Sequence, residues 1–243
     1  MEPWIIGHRG AAAYCRENTL ESFRKAIDLG ADGIEFDVRR TADHTLIVHH
    51  DAEIVGIRLS RISYPEARDL ALHQGYPLCR LDEVIDMTAD RLLLDVELKE
   101  EGYEAEVADQ LAISLPMDRF FFTSFSLESM RTIRRHDPRL QVGWLSDTIS
   151  KSILDTLIDS GMDFFLPRSD AVTPRWADPM RQSGLKVIPW TVNRPERIKK
   201  LLSYPCIRGL ISDRPDCGLR IRARMKAIRE VAIAENGHGI SRS

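Results

Sequence analysis

Residues 33–38 read Gly33-Ile34-Glu35-Phe36-Asp37-Val38, and residues 92–98 read Leu92-Leu93-Leu94-Asp95-Val96-Glu97-Leu98. Both alternate apolar with acidic side chains, and a period of two is the pattern of a β-strand. Ile34, Phe36 and Val38 share one face, while Glu35 and Asp37 share the other. In a barrel strand one face meets the surrounding helices and the other looks into the barrel. The apolar trio belongs against the helices, so the carboxylates point inward, near the C-terminal mouth where such folds carry their chemistry. Leu94, Val96 and Leu98 against Asp95, Glu97 and Lys99 repeat the pattern one strand along.

Further strands are expected at Trp4–Gly7, Phe120–Phe125, Gln141–Leu145, Phe164–Leu166, Lys186–Val192 and Arg208–Ser212, with helical segments between them. About eight β–α units without a doubly wound glycine fingerprint point to a closed (β/α)₈ TIM barrel of the α/β class. The 243 residues match the ~250 that such a barrel commonly uses, so one domain over 1–243 is expected. A short insertion, about 41–89, separates barrel strands 2 and 3. It is expected to hold a strand at Leu46–His49, an irregular excursion over Ala52–Ile62, a helix after Ser63–Pro65 and another starting near Asp82.

The first helix has Asn18 as its expected cap, with Glu21 three residues on as in a capping box. Leu20, Phe23 and Ile27 line one of its faces, and Gly30 closes it. Thr173-Pro174 and Asn193 to Pro195 are further helix starts. A basic-rich helix over about 216–235 is expected to pack on the barrel exterior or the first strand, followed by a frayed tail.

Lys and Arg (34) nearly balance Asp and Glu (37) for a formal charge of −3, so no global basic field gathers nucleic acid or anionic lipid. The start of the chain has neither a basic n-region nor a long apolar run, which argues against a signal peptide or stable membrane insertion and makes the cytoplasm the simplest location. The four cysteines are scattered with no zinc-site spacing, as in a chain of reduced thiols. Oligomeric state is not legible.

Glu35, Asp37 and Glu97 form a hard oxygen set suited to Mg²⁺ or Ca²⁺ rather than zinc. A buried salt-bridge network using Arg39, Arg40 and Lys99 is the competing reading, and the residues alone leave both open. Asp95, deeper in, is expected to support its neighbours by hydrogen bonding. His8 ends the first strand beside Arg9, and His50 ends the Leu46–His49 strand beside Asp51. Two histidines beside a cation site suit acid–base chemistry near neutral pH, and Arg9 with Lys99 suits an anionic group such as phosphate. A satisfied structural role is the alternative for either imidazole, and the expected role for His44, His49, His73, His136 and His238. Trp190, near the end of its strand, is either a barrel-core aromatic or an apolar wall against substrate carbons; Phe125 and Trp144 are weaker candidates for that wall. Ser124 is expected to reach a substrate hydroxyl or to support Glu97.

The chain resembles the glycerophosphodiester phosphodiesterase family. The resemblance is carried by His8-Arg9-Gly10, Glu17-Asn18-Thr19, the run from Phe23 through Gly30-Ala31-Asp32 to Val38, His50-Asp51, Glu97-Leu98-Lys99, Ser124-Phe125, Trp190 to Asn193 and Gly209 to Pro215. It implies a (β/α)₈ barrel holding a divalent cation, Mg²⁺ or Ca²⁺, on Glu35, Asp37 and Glu97. It also implies His8 as general base and His50 as general acid, with Arg9, Lys99, Glu17 and Trp190 on a small-molecule glycerophosphodiester. The implied reaction releases glycerol 3-phosphate and an alcohol, either through a cyclic phosphate formed by a neighbouring substrate hydroxyl or by direct attack of water. A lysophospholipase D-type lipid phosphodiesterase and a non-catalytic phosphodiester-binding protein are the rival readings. Arg16 stands where the family usually has proline, and His44 where it usually has glycine. After His50-Asp51 the chain reads AEIVGIRLSRISY in place of the longer family insertion at the substrate entrance.

Overall fold

The computed structural model describes residues 2–88 and 91–237. In chain order the elements are β1 (Trp4–His8), α1 (Leu20–Asp28), β2 (Gly33–Arg40), β3 (Leu46–Val48), β4 (Glu53–Ile54), β5 (Ile57–Arg58), α2 (Tyr64–His73), α3 (Leu81–Thr88), β6 (Leu93–Leu98), α4 (Glu104–Ser114) and β7 (Phe120–Ser124). They continue with α5 (Leu127–His136), β8 (Val142–Ser146), α6 (Lys151–Asp159), β9 (Phe164–Pro167), α7 (Pro174–Gln182), β10 (Lys186–Val187), α8 (Pro195–Leu202), β11 (Gly209–Ser212) and α9 (Pro215–Gly237).

Eight parallel strands in the order β10-β9-β8-β7-β6-β2-β1-β11 form a nearly closed barrel with helices between them. The closing seam is thin. Arg208 N donates to Val187 O at 2.8 Å and Ile211 N to Pro189 O at 3.0 Å. The seventh strand is expected to run from Lys186 to Val192, yet its ladder stops at Val187 and resumes only as a bridge between Trp190 and Arg168. Ile188 N and Trp190 N still donate to Phe165 O and Pro167 O, whereas Pro189, which has no N–H to donate, offers only its carbonyl to β11.

Two apolar layers follow from the strand alternation. Ile34, Phe36, Val38, Leu94, Val96 and Leu98 pack outward with the helices, and the ring of Phe23 of α1 meets that of Phe36 at a tilt, centroids 5.9 Å apart. Inside the barrel Ile6, Phe121, Leu145, Phe164, Leu166, Ile188 and Ile211 form a separate plug below the mouth. Gly143 admits that plug, since a Cβ there would lie 2.6 Å from Leu166 and 2.8 Å from Phe164.

The insertion has its own small core of Ile47, Ile54, Leu59, Ala67, Ala71 and Leu78. The stretch read as irregular contains a β4–β5 hairpin, turned by Val55 at φ 54° and Gly56 at φ 75°. A β-branched residue in that region is strained, which is why the turn is not obvious from sequence. α2 begins with a Ser63–Glu66 capping box. α9 lies on β1 and α8, where Arg222 reaches the Pro3 carbonyl and Asp32. Residues 238–243, the greater part of the expected frayed tail and including His238, lie outside the described residues.

Candidate active site

Strand register brings the ionisable groups together. His8 pairs with Glu35 across β1–β2, and Glu35 with Asp95 and Asp37 with Glu97 across β2–β6. All alternate with outward apolar residues, so they share the barrel interior at its C-terminal end. They line a cavity of about 170 Å³ together with Arg9, His50, Lys99, Thr123, Phe125, Leu145, Trp190 and Ile211, although Asp37 lies behind the wall, fully buried.

The loop after β1 is wound tightly to aim Arg9. Arg9 has φ 48° and Gly10 φ 89°, and a Cβ on Gly10 would fall 2.4 Å from Ser22 Oγ. This conformation lets Arg9 N donate to Glu35 Oε2 at 2.9 Å. The Arg9 side chain reaches Glu17 Oε1 at 2.8 Å and lies 3.2 Å from Asp37 Oδ2. Glu17, expected on the substrate, therefore pairs with Arg9 at the rim.

Asn18 is not the helix cap. Thr19 takes that position and accepts from Ser22 N, whereas Asn18 adopts φ 57° and donates Nδ2 to Asp37 Oδ2 at 2.7 Å. Asparagine tolerates the left-handed region, so one residue both turns the chain and grips a carboxylate from the far side. Cap preference alone reads the same residue as a local signal.

Glu35, Asp37 and Glu97 offer oxygens all within 4.8 Å of one another. Glu35 Oε1 and Asp37 Oδ1 are buried with no hydrogen-bond partner among the described residues. Lys99 Nζ donates to Glu97 Oε1 at 2.6 Å and lies 3.3 Å from Asp37 Oδ1 without hydrogen-bond alignment. Burial, with the Asp37 and Glu97 charges, pushes the Glu35 carboxyl well above its ordinary range. Burial and Asp37 also raise Glu97. Burial acts on Asp37 in the same direction, but Lys99, Arg9 and the Asn18 hydrogen bond outweigh it and hold that carboxyl low. The cluster thus carries more acid than Arg9 and Lys99 compensate, and it brings one oxygen from each of three carboxylates close together. Those donors fit a divalent cation.

Arg39 and Arg40 take no part in this balance. Arg39 grips Glu100 and the His50 carbonyl, and Arg40 grips Glu106. Asp95 accepts from Thr123 Oγ1 at 2.7 Å, and burial pushes its carboxyl well above the usual range. Ser124 reaches neither substrate space nor Glu97, because its hydroxyl donates to Leu98 O.

His8 Nδ1 lies 2.6 Å from Asp213 Oδ1, and Nε2 lies 3.9 Å from Glu35 Oε2. Burial notwithstanding, the His8 hydrogen bond holds the Asp213 carboxyl below its ordinary value. An ionised carboxylate only accepts, so Nδ1 carries the proton and any lone pair of the imidazole is left at Nε2. Asn193 fixes Asp213 in turn, its Oδ1 accepting from Asp213 N at 3.0 Å while its amide donates to the carboxylate. Neither partner has a role assigned from sequence, being 205 and 185 residues from His8, although both lie in stretches that carry the family resemblance, Gly209 to Pro215 and Trp190 to Asn193. His50 Nδ1 lies 2.8 Å from Asp51 Oδ1. Trp190 donates Nε1 to Leu166 O at 2.8 Å and meets Phe125 edge to face at 5.6 Å. Trp144 turns to the Phe125 carbonyl instead.

A parallel barrel whose mouth joins hard oxygens, two imidazoles and two cations defines an enzyme acting on an anionic ester. The sequence model described as "Glycerophosphoryl diester phosphodiesterase family" matches residues 8–217, and the chain belongs to that family. It is 26% identical over 239 residues to a glycerophosphodiester phosphodiesterase of Caldanaerobacter subterraneus subsp. tengcongensis, covering 89% of this chain and 96% of the relative. A glycerophosphoryl diester phosphodiesterase structure from Silicibacter pomeroyi, described as putative, superposes with TM-score 0.81 at 25% identity, over 93% of this chain and 94% of that one. An Oleispira antarctica phosphodiesterase solved with sn-glycerol-3-phosphate shares the fold, with TM-score 0.81 at 21% identity over 90% of this chain and 96% of that one. The chain is a glycerophosphodiester phosphodiesterase, a phosphoric diester hydrolase. No helix among the described residues is long and apolar enough to cross a membrane.

Proposed function

We propose that the enzyme hydrolyses glycerophosphodiesters to glycerol 3-phosphate and an alcohol in a divalent-cation-dependent reaction with histidine acid–base catalysis. The observation that carries this reading is the clustering of three buried carboxylates, two of them with an oxygen that lacks a hydrogen-bond partner, with Glu35 and Glu97 lining the same cavity as His8 and His50. Glu35, Asp37 and Glu97 would hold Mg²⁺ or Ca²⁺, which when bound supplies positive charge to the phosphoryl oxygens. Arg9 and Lys99 bind the same phosphate, adding donors where negative charge grows in the transition state.

His8, with Asp213 holding Nδ1–H, takes at Nε2 the proton of the attacking nucleophile, either water directly or a neighbouring substrate hydroxyl whose cyclic phosphate is then opened by water. His50, with Nδ1 held by Asp51, delivers a proton from Nε2 to the departing alcohol. Trp190 and Phe125 offer apolar faces to substrate carbons at the open side of the cavity. The domain reading is one catalytic barrel over 1–243 acting in the cytoplasm.

The test is release of sn-glycerol 3-phosphate from glycerophosphocholine, glycerophosphoethanolamine and glycerophosphoglycerol before and after metal removal. Turnover is expected to vanish with EDTA and to return with Mg²⁺ or Ca²⁺. Undiminished turnover after thorough metal removal contradicts the cation assignment, and preferred turnover of lysophosphatidylcholine contradicts the substrate assignment.

A further inference from the structure

His50 has an insecure anchor for a residue assigned to proton delivery. Its side chain is 36% exposed and its one charged partner, the adjacent Asp51, is 74% exposed. Exposed ion pairs contribute little to geometry, because solvent competes for both groups. The loop carrying it is held instead by groups that do not face the substrate. Arg39 donates to the His50 carbonyl from Nε at 2.9 Å and from a terminal nitrogen at 2.7 Å. His49 N donates to Asp37 O at 2.9 Å, which ties the loop to a proposed cation ligand.

The His49 side chain completes the hold from the other side. It is buried, with Nδ1 3.0 Å from Asp51 O and Nε2 3.2 Å from Tyr76 Oη. A carbonyl oxygen only accepts, so Nδ1 carries the proton and Nε2 accepts from the Tyr76 hydroxyl. This fixes one neutral tautomer. The Tyr76 ring stacks on His49 with centroids 6.2 Å apart, and the Arg16 guanidinium lies 4.4 Å from the Tyr76 ring centre. Arg16 belongs to the loop after β1, which also carries Arg9 and Asn18. The stack therefore runs from the phosphate-binding loop, through the insertion, to the backbone of the residue whose carboxylate holds His50.

We propose that His49, with Tyr76 and Arg16 behind it, is a positioning residue for His50, setting the imidazole that protonates the leaving alcohol. The inference rests on the acid assignment made above for His50. His49 touches neither cavity nor substrate, so it acts only through the Asp51 carbonyl and the loop conformation. Arg16 thereby spends its charge on an aromatic face.

A general acid matters in proportion to how poor the leaving group is, which separates positioning from mere support of the fold. The experiment compares kcat and KM on glycerophosphocholine with those on a glycerophosphodiester whose leaving group is p-nitrophenol. The proteins are the unaltered enzyme and the variants His50→Ala, His49→Leu, His49→Asn and Tyr76→Phe. His49→Leu is expected to lose ~10–100-fold in kcat on glycerophosphocholine with KM within about threefold, and less than about threefold on the activated ester. His49→Asn, whose amide nitrogen overlays Nδ1, is expected to recover to within about threefold, and Tyr76→Phe to lose a few-fold with the same bias toward the poor leaving group.

Unchanged turnover in His49→Leu, or equal losses on both esters, overturns the proposal. Should that variant fail to fold, Tyr76→Phe decides the matter by the same ratio, with an unbiased or absent loss counting against the proposal. If His50→Ala itself shows no leaving-group bias, the acid assignment fails; if His50→Ala shows it and the His49 and Tyr76 variants do not, only the present inference fails.

Discussion

The two imidazoles of the cavity are held by different means. His8 sits at the end of a parallel barrel strand between two others, with its side chain 18% exposed and a partner, Asp213, that is itself gripped by Asn193. His50 sits on a loop of the insertion beside an exposed Asp51. The first is placed by sheet register, so its geometry is inherited from eight strands. The second is placed by side-chain clamps on its backbone, a device that a short chain segment can gain or lose. Barrel-held groups should therefore fail abruptly when their partners are changed, and loop-held groups by degrees.

The largest effects test the groups themselves. His8→Ala and His50→Ala should each lose ~10²–10⁴-fold in kcat on glycerophosphocholine with an unchanged circular dichroism spectrum. Glu35→Gln and Glu97→Gln should abolish most of the calorimetric signal of Mg²⁺ or Ca²⁺ titration; undiminished affinity would return both to the ion-pair reading.

A smaller effect tests the contrast between the two holds. Asp213→Asn removes the acceptor that fixes the His8 tautomer and should lower kcat ~10–100-fold, whereas Asp51→Asn, whose carboxylate is mostly solvated, should cost about threefold or less. Equal losses would show that both histidines depend on their carboxylates alike. Smallest in kinetic effect, Arg222→Ala at the closed end of the barrel should leave kcat/KM within about twofold while lowering stability by ~1–3 kcal/mol, read by urea denaturation. A catalytic loss there would mean that the two ends of the barrel are not separable.

Much of this arrangement is visible before any coordinates. Alternation at Gly33–Val38 and Leu92–Leu98 turns the carboxylates inward, and about eight β–α units close the sheet, because both depend on local periodicity. What local pattern cannot supply is a partner brought by the fold. Asn18 reads as a helix cap because its neighbours are a capping sequence, yet its amide is used on Asp37, 19 residues on. Asp213 reaches His8, bringing Asn193 behind it, only because the last strand returns beside the first. Arg39 follows the inward parity of Glu35 and Asp37, but at the end of β2 it passes the rim and turns to Glu100 and the insertion. The hairpin at Val55 is hidden for another reason, since its turn residue is one that sequence rules disfavour there.

The division of labour between His8 and His50 is most directly tested by the leaving-group dependence of the two alanine variants. With glycerophosphocholine and the p-nitrophenyl ester as the pair of substrates, the His50→Ala defect should shrink to within about tenfold on the activated ester, while the His8→Ala defect should persist on both. A His50→Ala defect of equal size on both esters, or a His8→Ala defect that vanishes on the activated one, would contradict that division of labour.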